Sequence, residues 1–94
     1  MVYVITYRGN YLDYFSPNGL PIKTKNGFSC KDIFGFSKRS YMTFKTEKEV
    51  KEYLRYMLRE LRDKHNVKRY NEVHPYADGI LIDRFSKFKY KEVN

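Results

Sequence analysis

The sequence predicts an α+β fold, in which an antiparallel β-sheet packs against one long amphipathic helix at about residues 47–65. Three observations predict it. Short β-rich runs separated by turn residues lie towards both ends of the chain. One central segment has the apolar spacing of a helix with a single buried face. The length of 94 residues suits a single domain, residues 1–94, with no room for a second core.

The first fifteen residues predict a β-hairpin. Residues 2–7 alternate as a strand does, and residues 11–15 form a second β-rich run. Between them lies Arg8-Gly9-Asn10, in which Gly and Asn tolerate the positive φ angles of tight hairpin turns. Ser-Pro-Asn-Gly at residues 16–19 is a second strong turn.

The middle of the chain predicts short elements. Residues 20–24 are expected to be extended and, because Pro21 lacks an amide donor, to lie at a sheet edge. One short helical turn is expected near residues 30–35, with a weak capping box beginning at Ser29 and Gly35 at its end. Residues 41–45 are expected to form a strand.

The helix is predicted from both its cap and its periodicity. Thr46 is a suitable N-cap, and Glu49 completes a capping box three residues later. His65-Asn66 is expected to end the helix. Apolar residues recur on one face at Val50, Tyr53, Leu54, Met57, Leu58 and Leu61.

Two further strands are predicted after the helix. One covers residues 67–73, and the other begins at residues 80–82 and continues with a kink towards residue 90. The loop 74–79 joins them. The predicted core consists of the helix's apolar face together with Val4, Leu12, Phe44, Ile80 and Ile82.

Positive charge is the most informative feature for function. Nineteen Lys and Arg residues against eleven Asp and Glu residues give a net charge of +8, which favours an anionic partner. Five helix cations fall within a sector of about 80°. They are Lys48, Lys51, Arg55, Arg59 and Arg62. The opposite flank is acidic and holds Glu49, Glu52, Glu60 and Asp63, with Tyr56 among them as an exposed residue suited to a protein interface. The cationic flank is either a docking surface or a solvated face with a few i,i+4 pairs.

The carboxyl end repeats this pattern. In a strand, Lys87, Lys89 and Lys91 would lie on one face and Phe88 and Tyr90 on the other. Such a strand could grip nucleic acid, with lysines on phosphates and the two rings as stacking candidates. It could equally be a half-buried edge strand protected by lysine.

Catalytic and metal chemistry is not expected. Cys30 has no disulfide partner and is expected to be a small buried hydrophobe. His65 and His74 show no metal-ligand spacing, so structural roles are favoured. No phosphate-cradling glycine loop is present, and the short Glu49-Val50-Lys51 match to a nuclease motif falls in a helix. We therefore expect no catalytic residues, no metal and no cofactor.

No membrane association is expected. No stretch approaches the roughly 18 apolar residues of a membrane span. The N-terminal residues lack the basic region and cleavage site of a secretory signal. The expected location is the cytoplasm.

The layout resembles small phage and mobile-element accessory proteins. The resemblance lies in the hairpin at residues 2–12, and in a Phe-x-Thr strand end that leads into a Glu/Lys-rich helix at residues 44–50. It implies binding without catalysis, since this group includes anti-CRISPR and other anti-defence inhibitors. Many of those inhibitors are acidic mimics of DNA, whereas this chain is basic.

Three functions remain open from the sequence. The first is a non-catalytic inhibitor that docks on a nucleic-acid-handling protein or nucleoprotein complex of the host. The second is direct DNA or RNA binding through the cationic flank and the Lys/aromatic strand. The third is sequestration of a nucleotide, with aromatic rings on its base and cations on its phosphates.

Overall fold

The computed structural model describes residues 1–19, 22–25, 27–64 and 87–94, which contain six strands and one helix. The elements are β1 (Val2–Tyr7), β2 (Asn10–Phe15), β3 (Ile22–Thr24), β4 (Gly27–Ser29), β5 (Phe34–Ser37), α1 (Glu47–Lys64) and β6 (Lys89–Val93). Four strands form an antiparallel sheet in the order β5-β2-β1-β6, and β3 pairs with β4 in a separate hairpin. The helix packs on β1 and β6, so the predicted α+β fold is confirmed.

The N-terminal hairpin has the predicted two strands and a two-residue turn. Arg8 and Gly9 both have positive φ angles, 51° and 78°, as a type I′ turn requires. Asn10, which was predicted to adopt such a conformation, instead begins β2 and pairs with Tyr7. The second predicted turn is also present, since the Gly19 amide donates to the Ser16 carbonyl at 3.1 Å.

The segment predicted as a strand over residues 41–45 makes only one isolated bridge. The amides of Tyr3 and Phe44 donate to each other's carbonyls at 2.8 and 2.9 Å. The Met42 amide donates to the Leu12 carbonyl at 2.8 Å. A register shift between Leu12 and Tyr14 interrupts the pairing of β2 with β5. The segment is therefore tied to both hairpin strands without forming a regular ladder.

The helical turn expected near residues 30–35 is present, but its end was predicted wrongly. The amides of Ile33 and Phe34 both donate to the Cys30 carbonyl, at 2.9 and 3.0 Å. Gly35 does not end this turn, because it lies within β5 opposite Tyr14. The turn leads directly into the edge strand of the sheet.

The helix begins as the sequence predicts. The Glu49 amide donates to Thr46 Oγ1 at 3.1 Å, and the Lys45 amide donates to Glu49 Oε2 at 3.2 Å. The reciprocal half of the capping box thus reaches one residue further back than the standard motif. The helix is described as far as Lys64. The predicted cap His65-Asn66, the strands at 67–73 and 80–82, the loop 74–79 and the core residues Ile80 and Ile82 lie outside the described residues.

The core lies between α1 and one face of the sheet. Its fully or nearly fully buried residues include Ile5, Leu12, Ile33, Phe34, Val50, Met57, Leu61 and Phe88. Phe44, Tyr53, Leu54 and Leu58 are partly buried against it. Val4 is buried as predicted, but it pairs with Lys91 and therefore lies on the face away from α1.

Candidate functional site

The orientation of α1 over the sheet is defined by contacts on its two flanks. Near the start of the helix, Tyr90 of β6 donates its hydroxyl to Glu47 Oε1 at 3.0 Å. Lys51 Nζ lies 3.0 Å from the same oxygen and 5.9 Å from the Tyr90 ring centroid. On the acidic flank, Tyr56 packs edge-on against Phe15 of β2, with centroids 5.9 Å apart. The cationic flank of α1 therefore faces β6, and the acidic flank faces β2.

The contact between Glu47, Lys51 and Tyr90 changes the titration of its charged members. Hydrogen bonds from Lys51 and then Tyr90, followed by the positive charge of Lys51, lower the pKa of the Glu47 carboxyl. The hydrogen bond to Glu47 is the largest of the effects that raise the pKa of Lys51. Lys51 is therefore paired with Glu47 on its own helix and lies near the Tyr90 ring of β6.

Two groups of exposed cations lie near the outer strand β6, one on α1 and the other on the opposite face of the sheet. Lys48, Arg55 and Arg59 are exposed on α1, and none of them forms an ion pair within the described part of the chain. Lys89 and Lys91 are exposed on β6, which is the outer strand of the described sheet. We call these five residues the basic edge. They combine the two cation groups that the sequence identified separately.

The remaining predicted cations stand outside this group. The Arg62 side chain lies beyond what the structure describes. Lys87 is exposed and precedes β6. The alternation predicted for this segment is confirmed, because Lys89 and Lys91 are exposed while Phe88 is buried and Tyr90 packs towards α1.

Phe88 was predicted as a stacking candidate, and this prediction is wrong. Its residue surface is only 5% exposed, because its ring packs in a cluster with Tyr7, Phe34 and Phe36 at centroid distances of 5.2–5.4 Å. Tyr90 is half-buried and hydrogen-bonded to Glu47, so stacking on a base would require that contact to break. The two predicted stacking rings near the basic edge, Phe88 and Tyr90, are therefore not available to a base: the first is buried, and the second is hydrogen-bonded to Glu47.

An aromatic group next to the basic edge was missed by sequence reasoning. Lys91 Nζ lies 5.1 Å from the Tyr11 ring centroid, and Tyr11 packs edge-on against Tyr41 at 4.9 Å. Tyr41 is 38% exposed. The strand register explains this contact. Tyr11 pairs with Thr6 of β1, and Lys91 pairs with Val4. Because Val4 and Thr6 point to the face away from α1, the side chains of Tyr11 and Lys91 lie together on that face.

Tyr56 also differs from expectation. It was predicted to be an exposed interface residue on the polar side of the helix. It is half-buried, because Phe15 and Tyr53 both pack against it. The aromatic residues available to a partner are therefore on the opposite face of the sheet, where Tyr14 is 40% exposed.

A shallow depression runs along the cationic flank of α1. Its lining mixes both signs of charge, since Glu47 and Glu52 line it together with Lys48, Lys51 and Arg55. Such a surface can form charge-assisted hydrogen bonds to carboxylates while its own carboxylates accept from cationic groups. It is suited to a partner with charges of both signs.

Metal-binding groups are not seen in the part of the chain that the structure describes, where no three His, Cys, Asp or Glu side chains could hold a metal ion. His65 and His74 lie outside that part. Cys30 is buried, as predicted. No described helix has the length and apolar character needed to cross a membrane.

Comparisons with known proteins do not place the chain in a family. No family model, no curated protein and no solved structure matches it. Function must therefore be argued from the chain's own surface.

Proposed function

We propose that this protein is a non-catalytic binding protein of the cytoplasm whose basic edge docks on an acidic surface of a nucleic-acid-handling protein complex. Its role would be that of an inhibitor, like the phage anti-defence proteins that its layout resembles. One observation supports this proposal above the others. The contact of Glu47 and Lys51 with Tyr90 holds the cationic flank of α1 along β6, so that its cations and the lysines on the other face of β6 flank the same strand.

The composition of the surface favours a protein partner over a nucleic acid. Glu47 and Glu52 line the same depression as Lys48 and Arg55, and these carboxylates would repel a phosphate backbone lying along it. The candidate stacking ring Phe88 is buried. A protein surface, by contrast, presents acidic and basic groups together and tolerates mixed charge.

The tyrosines beside the basic edge add to this argument. Tyr41 is exposed and packs against Tyr11, which lies under Lys91. Tyrosine is enriched in protein interfaces because one ring contributes a large apolar area and one polar tip. The net charge of +8 would speed the encounter with an acidic partner and make the association rate fall with added salt.

A pair of charge-reversed variants tests the proposal. Arg55 and Arg59 are changed to Glu in the edge variant, and Lys38 and Arg39 are changed to Glu in the control. Lys38 and Arg39 are exposed and follow β5, at the opposite side of the sheet from β6. Both variants carry the same net charge, so a difference between them reports position and not charge. Circular dichroism establishes that each variant is folded.

Each protein is used as bait in a host lysate, with and without nuclease treatment. The partner recovered by the wild type is then purified, and its association is measured directly. We expect the complex to survive nuclease treatment and the control variant to bind normally. The edge variant should associate at least about tenfold more slowly, because two attractive charges have become repulsive.

Two outcomes would contradict this function. If nuclease abolishes capture, and mixed-sequence DNA or RNA gives a gel shift that weakens steeply with salt, the protein binds nucleic acid directly. If the edge variant binds the purified partner as well as the control does, the basic edge is not the docking surface.

A further inference from the structure

We propose that a second site, a cavity at the turn end of the sheet, binds a nucleoside monophosphate. The cavity has a volume of about 400 Å³ and is open to solvent. Tyr7, Arg8 and Asn10 line it from the β1–β2 hairpin, and Lys31 and Phe36 line it from the other side. This volume falls within the roughly 300–1,000 Å³ of small-molecule sites. No residue of the basic edge lines it, so the two sites are independent.

A buried hydroxyl that has no partner among the described residues is the strongest sign of a ligand here. The Tyr7 Oη atom is buried, and no described residue forms a hydrogen bond with it. Phe36 and Phe88 pack against the Tyr7 ring, each with its centroid at 5.4 Å, so the hydroxyl cannot swing out to water while this cluster is intact. Buried polar groups in folded proteins are almost always paired, and an exception calls for an explanation. Because the hydroxyl is covered in the free protein, a ligand in the cavity would reach it by displacing a neighbouring side chain such as Phe36, and it would then supply the missing partner.

The charge of the cavity selects an anion. Arg8 and Lys31 are both exposed cations that line it, and no carboxylate is among its described lining residues. Arg8 lies beside Tyr7, with its guanidinium carbon 5.3 Å from the ring centroid. This setting differs from the depression on α1, where two glutamates oppose the cations. Two positive charges match the charge of one phosphate monoester.

The remaining lining selects a flat, partly polar ring. Phe36 contributes apolar surface against which a base can lie, and Asn10 offers both a donor and an acceptor. Ser29 contributes a hydroxyl. Inorganic phosphate would engage the two cations but would leave the apolar wall uncovered. A nucleoside would cover the wall but would leave the cations without a counter-charge. A nucleoside monophosphate meets both requirements.

The test uses the full chain with AMP, GMP, CMP and UMP, each compared with its nucleoside and with inorganic phosphate. Binding is measured by thermal shift and by isothermal titration calorimetry. We expect at least one monophosphate to raise the melting temperature, because a ligand that binds only the folded state stabilises it. The matching nucleoside and inorganic phosphate should have much smaller effects.

Single substitutions distinguish binding in this cavity from nonspecific attraction of the nucleotide to a basic protein. Arg8→Ala and Lys31→Ala should each weaken binding about tenfold or more, as expected when a charge-assisted contact is lost. The matched control Lys38→Ala removes an exposed cation outside the cavity and should bind normally. Tyr7→Phe should also weaken binding about tenfold, while the melting temperature of the free protein stays equal or rises, because a buried hydroxyl with no partner among the described residues has been removed.

The proposal is overturned if no monophosphate binds at about 1 mM. It is also overturned if inorganic phosphate binds as tightly as the nucleotides, or if Tyr7→Phe and Lys31→Ala bind like the wild type. The Arg55/Arg59 reversal leaves the cavity unchanged and should retain nucleotide binding, so failure here is distinguishable from failure of the docking function.

Discussion

Gly35 is predicted to be intolerant of a side chain because of one aromatic ring. Tyr14 and Gly35 are direct partners in the β2–β5 pairing. A Cβ atom added at Gly35 would fall far inside 3.0 Å of the Tyr14 ring carbons Cε1 and Cζ, a separation that real Cβ atoms essentially never show. The Tyr14 hydroxyl donates to the Lys31 carbonyl, which keeps the ring in place. Gly35→Ala must therefore displace the ring and break that hydrogen bond.

The cost can be worked from three contributions. Overpacking costs about 1–3 kcal/mol, and Tyr14 favours the lower end because it is 40% exposed and can rotate into solvent. The lost hydrogen bond contributes about 0.5–1.5 kcal/mol. Replacing a strand glycine by alanine returns about 0.5–1 kcal/mol of backbone entropy. The net expected destabilisation of Gly35→Ala is about 1–2 kcal/mol, which in a domain of this size lowers the melting temperature by about 4–8 °C per kcal/mol.

Urea unfolding of the wild type, Gly35→Ala, Tyr14→Ala and the double variant measures this coupling. In the Tyr14→Ala background, alanine at residue 35 should cost nothing or should stabilise by about 0.5 kcal/mol, because the ring is gone. The coupling free energy should then be about 1–2.5 kcal/mol. Equal costs in both backgrounds would refute the reasoning, since the ring would not be what excludes the side chain.

Three further predictions concern α1. Thr46→Ala should destabilise the protein by about 1 kcal/mol in urea unfolding, while Thr46→Ser should stay close to the wild type because it keeps the capping oxygen. Met57→Ala should cost about 2–5 kcal/mol in thermal unfolding, because Met57 is fully buried, whereas the exposed Arg59→Ala should change stability by less than about 0.5 kcal/mol. The folded state lowers the pKa of Glu47, so this carboxyl stabilises the protein at a pH above its ordinary pKa of 4.5. That stability is lost as the pH falls through the pKa of the folded state. Glu47→Gln should therefore make the free energy of unfolding less dependent on pH in that range.

Each of these predictions has an outcome that would contradict it. Equal stability of the Ala and Ser variants at Thr46 would mean that its hydroxyl does not cap the helix. A Met57→Ala cost no larger than that of Arg59→Ala would mean that Met57 does not pack in the core. An unchanged acid unfolding curve in Glu47→Gln would mean that the contact with Lys51 and Tyr90 is not formed in solution.

Elements with local signals could be predicted from the sequence. The helix start depends on Thr46 and Glu49, which are three residues apart, and both observed contacts of the cap join residues three or four positions apart. The β1–β2 hairpin depends on Gly9 in a two-residue turn. The buried face of α1 follows from the spacing of its apolar residues alone. The residues that form these interactions are close together in the sequence, so composition and spacing are sufficient to predict them.

Elements that depend on distant partners could not be predicted in the same way. The segment at 41–45 has the composition of a strand, but its pairing is decided by Tyr3 and Leu12, thirty or more residues before the residues they pair with. Gly35 has the appearance of a helix end, yet it lies in β5, where it pairs with Tyr14 and the Tyr14 ring covers it. A local pattern does not say which distant residue will cover or pair with it.

The candidate sites divide in the same manner. The sequence by itself determined the cationic sector of α1, the alternation of lysines with aromatics around β6 and the net charge of +8, because these follow from spacing and composition. Only the tertiary structure decided that the two cation groups flank the same outer strand, that Phe88 belongs to the core, and that Tyr7 lines a cavity and has a buried hydroxyl without a partner in the described part of the chain. The physical reason is that burial and charge proximity depend on how α1 crosses the sheet, and that crossing is set by packing between residues far apart in the chain.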